Sequence, residues 1–235
     1  MSTFQLTNNA VKLGDIPPES TIITLGNELL ASTESWKKGK TFGNGKVLTL
    51  RRPPAQGSES SWHCRVSRHD KDDATFDEFW SKLGVNKAEN EKQFVGAIKQ
   101  VSEVKRISAT QSIWTLYYTY PPPVSPRVFT VLQTTYLSSA SPRSGLIVSI
   151  PIDLSEDEEL AKIERKGVRG RYVAVERLLE LDDDKVEWRM ATSATPGGMI
   201  PSFIAESSMP GQIAADVTHF LKWFRIIRDR TAVEA

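Results

Sequence analysis

Glu176 and Arg177 interrupt an otherwise apolar, strand-like run, and Glu187 and Arg189 interrupt the next one. Side chains alternate on a strand. Tyr172, Ala174, Glu176 and Leu178 therefore share one face, and Val186, Trp188, Met190 and Thr192 share a face of the following run. If the face of Glu176 is the inner one, its carboxylate stands among apolar groups and needs a cation, which Arg65 or Arg127 could supply. Such a pair can hold the polar end of a ligand or move a proton. The competing reading is cross-strand ion pairing on the outer face. Tyr117, Tyr118, Tyr120, Tyr136 and Tyr172, with Trp114 and Trp188, also fall in strand-like runs. Aromatic rings along a pocket suit a polyene, sterol or polyketide, and a phenol such as Tyr118 can donate to a carbonyl; otherwise these rings are ordinary core.

The remaining reactive residues say less. His63, His69 and His219 are the only histidines. Six residues apart on a strand, His63 and His69 point the same way, while His219 lies on a helix away from its apolar stripe. A histidine metal site is not expected, although His63 or His69 could serve as a general base. Cys64 is the single cysteine, so no disulfide forms within the chain. Its neighbour Arg65 faces the opposite way on a strand, so the thiol is expected to be buried and inert. Gly39-Lys40-Thr41 resembles the end of a phosphate loop. It lacks the earlier glycine and a preceding strand, and reads as part of a solvated loop over residues 37–46.

These residues need elements to position them. The 235-residue chain is 39% hydrophobic and 25% charged, enough apolar content for a core. A formal charge of +1 offers no concentrated basic face for nucleic acid. Residues 1–13 carry no secretory pattern, and no apolar run approaches the length of a membrane span, so a cytoplasmic protein is expected, with peripheral membrane contact left open. Residues 17–35 read as an amphipathic helix. Val47 to Leu50 and Trp62 to Ser67 read as strands separated by a polar Pro/Gly/Ser loop. Two short helices follow in residues 76–101, with faces Phe76, Phe79, Trp80, Leu83 and Phe94, Ile98, Val101, and a stop at Gly84. The period then changes to two: residues 113–120, 127–137, 145–152, 171–181 and 185–193 read as strands, the last two joined by a hairpin at Asp182-Asp183-Asp184.

Glu156 to Glu159 and Lys162 to Arg171 lie in one connection, a lid or rim, or a solvated helix with pairs such as Glu158–Lys162. Ile213, Val217, Phe220, Leu221, Phe224 and Ile227 form a wide stripe on a final helix over residues 210–229. Strands joined by hairpins give an antiparallel sheet. A curved sheet wrapped round this helix leaves an internal cavity. The expectation is one α+β domain over residues 1–235, with a helical segment at 17–35 and a core over about 45–229.

Several strings carry a resemblance: Ser61-Trp62-His63-Cys64-Arg65-Val66-Ser67-Arg68-His69, Phe76-Asp77-Glu78-Phe79-Trp80, Ser125-Pro126-Arg127-Val128-Phe129, Tyr172-Val173-Ala174-Val175-Glu176-Arg177, Val186-Glu187-Trp188-Arg189-Met190 and Gly197-Gly198-Met199-Ile200-Pro201. Over about residues 45–225 the chain resembles the START-like, helix-grip superfamily, and more narrowly a fungal START-like family of largely uncharacterised proteins. The resemblance implies a curved antiparallel sheet around a long C-terminal helix, a hydrophobic cavity, and a turn at Gly197-Gly198 leading to Pro201. The superfamily has no shared catalytic residues, so it does not fix function. Three readings follow. The first is a binding or transfer module for a lipid, sterol or polyketide-like molecule. The second is a polyketide cyclase-type enzyme, working by proximity and orientation with Glu176, Arg65, Arg127 and Tyr118 as its polar groups. The third is an interaction protein with a filled core. Trp114, Tyr172, Trp188, Met190, Phe220 and Phe224 are the expected pocket residues. No cofactor and no metal is expected.

Overall fold

A computed structural model describes residues 4–54 and 60–234. The elements are β1 (Val11–Lys12), α1 (Glu19–Ser32), β2 (Lys37–Phe42), β3 (Val47–Arg52), β4 (Trp62–His69), α2 (Phe76–Leu83), α3 (Lys87–Phe94), β5 (Ile98–Arg106), β6 (Gln111–Tyr118), β7 (Arg127–Ser138), β8 (Ser144–Asp153), α4 (Glu158–Ala161), β9 (Val168–Arg169), β10 (Arg171–Glu180), β11 (Val186–Thr195) and α5 (Ser202–Glu234). The main sheet runs β2-β3-β4-β11-β10-β8-β7-β6-β5 with antiparallel neighbours throughout. Short β1 and β9 add in parallel to β8 and β7. Among the described residues no helix is long and apolar enough to cross a membrane.

Each face of the sheet is covered by its own helix, because alternation gives each strand two apolar sides. On the outer face α1 buries Ile22, Leu29 and Leu30 against Val148, Val175, Ala191 and Cys64. Gly26 permits this approach: a Cβ there would stand 2.9 Å from Val148 Cγ2. On the inner face α5 packs Val217, Phe220 and Phe224 with Phe79, Leu83 and Trp188. Phe220, fully buried, stacks on Phe79 at 5.2 Å and meets Trp188 edge-on at 5.2 Å.

The structure departs from the sequence reading at four places. Residues 37–42 form edge strand β2 rather than a loop. Its Lys37, Lys38 and Lys40 are exposed and show no apolar alternation, since an edge strand with an open side is held by backbone pairing to β3. The tight turn after it uses positive φ at Gly43, Asn44 and Gly45. Ile98 and Val101 belong to β5, not to a helix: their spacing of three suits a helix, but the strand is irregular between Ile98 and Gln100, which breaks strict alternation, and α3 ends at Phe94 with Val95 extended. The final helix starts at Ser202, eight residues before Pro210, which sits inside it. The Pro201 carbonyl opens that helix by accepting the N–H groups of Ile204 and Ala205. In the acidic-basic connection Lys162 pairs with Glu159, not Glu158, because the helix there is a single turn. The hairpin at residues 182–184 forms with left-handed Asp183 and Asp184, and Gly197 and Gly198 take positive φ. The polar loop expected between β3 and β4 lies at residues 55–59 outside the described residues.

Candidate functional site

Three small residues on the inner face set the depth of the site. Ser149 of β8, Ala174 of β10 and Thr192 of β11 lie directly across from one another. They leave the sheet floor low beneath α5. The space above is a cavity of about 440 Å³, bounded by this floor, by Tyr172, Met190 and Trp188, and by α3 and α5. Gly96, Tyr120, Gln212 and His219 are exposed lining residues and mark the opening. The volume falls within the range of about 300–1,000 Å³ common for small-molecule sites.

One row further along, Ile147, Glu176, Met190 and Arg65 are aligned across four strands. Arg65 and Glu176 thus meet across Met190, with Arg65 Nη2 donating to Glu176 Oε1 at 3.0 Å. Trp188 Nε1 donates to the same oxygen at 2.8 Å, and the Trp188 ring lies 3.9 Å from the guanidinium. Lys87, on the first turn of α3, donates to Glu176 Oε2 at 2.5 Å and pairs with Glu91 one turn on at 2.9 Å. Arg65 is 1% exposed and Glu176 5%. Arg65 Nε and Nη1 have no hydrogen-bond partner among the described residues, and the π face of Trp188 offsets part of that loss.

The charge states follow from burial and neighbours. Burial pushes Glu176 up, but Lys87 and Arg65 outweigh it and hold the carboxyl below its ordinary range. With both oxygens engaged, Glu176 is a fixed anion. Burial would lower Lys87, yet Glu176 and Glu91 raise it above its usual value. Asp216, on α5, behaves differently. Burial lifts it to about 7, with Arg65 opposing and Glu91 and Glu176 reinforcing the rise. It forms no hydrogen bond or ion pair among the described residues, and it lines the cavity. Tyr118 and Tyr172 are raised chiefly by burial and stay protonated.

The sequence candidates are thus partly gathered. Glu176, Arg65, Tyr118, Tyr172, Trp188 and Met190 line the cavity. Arg127 does not: it bonds the carbonyls of Pro196 and Ser125, bracing the turn before Gly197. Trp114 packs with Ala88, Ile98, Leu116 and Val131, and Phe220 and Phe224 fill the α2–α5 core beside the cavity. His63 joins Glu206 at 3.0 Å, and His69 lies between Ser67 and Asp73; neither lines the cavity. Glu187 takes the outer-face reading, pairing with Arg177 and Arg189. Sequence reasoning missed Lys87, Glu91 and Asp216. Two signals were present: Lys87 and Glu91 stand at i,i+4, and Asp216 falls inside the apolar stripe, three residues after Ile213 and four before Phe220.

Cys64 sits on the outer face, 0% exposed, and burial lifts its thiol to about 12. We expect it not to react with a thiol reagent near pH 8 until denaturant is added. Labelling of the native protein at the rate of a free thiol would show that the face under α1 opens.

The fold is that of known lipid-transfer domains. Human STARD10 superposes with a TM-score of 0.74 at 11% identity, covering 92% of this chain and 83% of that one. Human StAR-related lipid transfer protein 5 gives 0.70 at 14% identity, covering 90% and 100%. The lipid transfer and protein localization domain of human StarD13 gives 0.66 at 14% identity, covering 89% and 98%. At these identities the likeness establishes the fold: a START-type helix-grip architecture. No curated protein matches the chain in sequence. A family model described as a protein of unknown function, DUF3074, matches residues 62–224, which include the strands, α3 and the part of α5 that build the cavity. The chain therefore belongs to the DUF3074 family.

Proposed function

We propose that this protein binds a hydrophobic small molecule, a lipid, sterol or polyketide-like compound, in the cavity between α5, α3 and the sheet. The observation that carries the reading is an unfilled cavity of about 440 Å³ walled mainly by apolar and aromatic side chains, with one compact polar cluster at Arg65, Glu176 and Lys87. Apolar walls supply affinity, and a few fixed polar groups set orientation. The interaction-protein reading needs a core closed by side chains, and the floor of Ser149, Ala174 and Thr192 leaves it open. The whole chain acting as one domain, a cytoplasmic location, and membership of a fungal branch belong to the same proposal. Peripheral membrane contact would serve loading.

A second reading, cyclisation, lactonisation or dehydration of a bound polyketide chain, is favoured by one observation. Asp216 presents to the cavity a carboxyl that titrates near neutrality, which a general acid or base requires. In that case Glu176 and Arg65 position the chain and Asp216 moves the proton.

Native mass spectrometry of purified protein, with and without organic extraction, separates these. Carriage predicts a co-purifying hydrophobic compound that is released unchanged. Catalysis predicts an empty protein that converts an added polyketide chain, with turnover lost in Asp216→Asn. An empty, unreactive protein that takes up no hydrophobe would overturn both.

A further inference from the structure

We infer that the cavity selects an amphiphile whose polar end is uncharged, a hydroxyl or carbonyl compound, and that Asp216 is the residue that recognises that end. The inference rests on the ligand-site reading above and narrows it to a chemical class.

Four groups facing the cavity carry fixed charge: Arg65 and Lys87 are cations, Glu176 and Glu91 anions. They pair among themselves, Arg65 with Glu176, and Lys87 with both Glu176 and Glu91. No net fixed charge is left for a ligand ion to neutralise. A carboxylate or phosphate head would enter a low-dielectric space without a counter-ion, which is costly, and an ammonium head would find one only in the ionised form of Asp216. The guanidinium is also not presented as an open anion receptor. Arg65 is 1% exposed, one side of it lies on the Trp188 ring, and its two unpartnered nitrogens are buried.

Asp216 is the polar group left open. Its carboxyl lines the cavity and has no hydrogen-bond or ion-pair partner among the described residues. A carboxyl in apolar surroundings keeps its proton more readily, and the acid form both donates and accepts one hydrogen bond. That is the complement of an alcohol or a carbonyl. The phenols facing the same space, Tyr118 and Tyr172, add neutral polar contacts and do not change charge near neutrality. Tyr120, whose phenol burial also raises, and His219 are the ionisable groups at the opening.

The sign of the pH dependence follows. Asp216 titrates at about 7, and its protonated form is the one that donates. Affinity for a carbonyl head, which can only accept, is full below that value and falls as pH rises through it, whereas a hydroxyl can also donate to the carboxylate. One proton with this midpoint gives about a tenfold loss between about pH 6 and about pH 8. A cationic head would show the opposite slope, because it needs the carboxylate.

The test uses the full chain and three probes of one chain length, a long-chain ketone, acid and amine, each displacing an apolar fluorescent dye from the cavity. The ketone is expected to bind most tightly, with about a tenfold weakening over that pH range. Asp216→Asn keeps an uncharged donor, so it should bind the ketone with a flat pH profile, whereas His219→Gln should keep the wild-type slope. Tighter binding of the acid or the amine, or an affinity for the ketone that rises with pH, would overturn the inference while leaving the ligand-site reading intact. The wild-type comparison stands even if Asp216→Asn does not fold. If no probe and no dye enters, the ligand-site reading itself fails.

Discussion

Replacing Glu176 by alanine is expected to destabilise the protein by about 3–5 kcal/mol, because it leaves two buried cations without their shared anion. Among the described residues, Arg65 loses its one side-chain acceptor, Trp188 Nε1 loses its partner, and Lys87 keeps Glu91 alone. Thermal unfolding should show a fall in Tm of about 6–20 °C. The double replacement Arg65→Met with Glu176→Leu should behave quite differently. It removes both charges and fills their space with apolar atoms, while Lys87 retains Glu91. Replacing a buried pair by well-packed apolar groups is often close to neutral. We expect it to lie within about 2 kcal/mol of wild type, the cost coming from the orphaned Trp188 N–H. The pair of results separates fold from function. A stable double variant that no longer co-purifies with a ligand would mean that the polar cluster serves the ligand and is not needed to fold the domain. If Glu176→Ala alone costs less than about 1 kcal/mol, the cluster is hydrated through the cavity, and the low-dielectric account of Asp216 weakens with it.

The sequence made part of this arrangement readable. Strand alternation put Glu176, Trp188 and Met190 on facing sides, and β10 and β11 pair in the register that makes them neighbours. The inner position of Glu176 and its choice of Arg65 over Arg127 could not follow from alternation. Period two divides a strand into faces without naming which is inside. Arg65 reaches Glu176 because β4 pairs with β11, a contact between segments more than a hundred residues apart. Lys87 was hidden for another reason. The segment Lys87 to Phe94 has little apolar content, so no hydrophobic period marked it as a helix. Phe220 and Phe224 lie on the stripe that sequence periodicity identified, but that stripe is wider than the cavity. Its first member, Ile213, lines the ligand space, while Val217, Phe220 and Phe224 pack with α2, a division set by where α2 and α3 dock.

The second large effect is expected from filling the cavity itself. Ala174 stands at the centre of the floor, opposite Ser149 on one side and Thr192 on the other, and all three line the void. In Ala174→Trp an indole would project from β10 toward α5 through the space a ligand needs. Because the ring occupies existing space instead of displacing packed atoms, the overpacking penalty should stay below about 2 kcal/mol. Binding should fall by about a hundredfold or more, which corresponds to about 2.7 kcal/mol. Dye displacement and native mass spectrometry give the affinity, and urea unfolding gives the stability. Asp216→Asn and Ala174→Trp then report on different properties of one site. The first is expected to change the pH profile with the cavity volume preserved, the second to remove binding at every pH with the charge set preserved. Should Ala174→Trp fold normally and bind as wild type does, the ligand lies elsewhere on the molecule, and the polar cluster is a structural feature of the core. Should it fold normally and lose both ligand and any turnover, carriage and catalysis share this one space, and only the fate of the released compound distinguishes them.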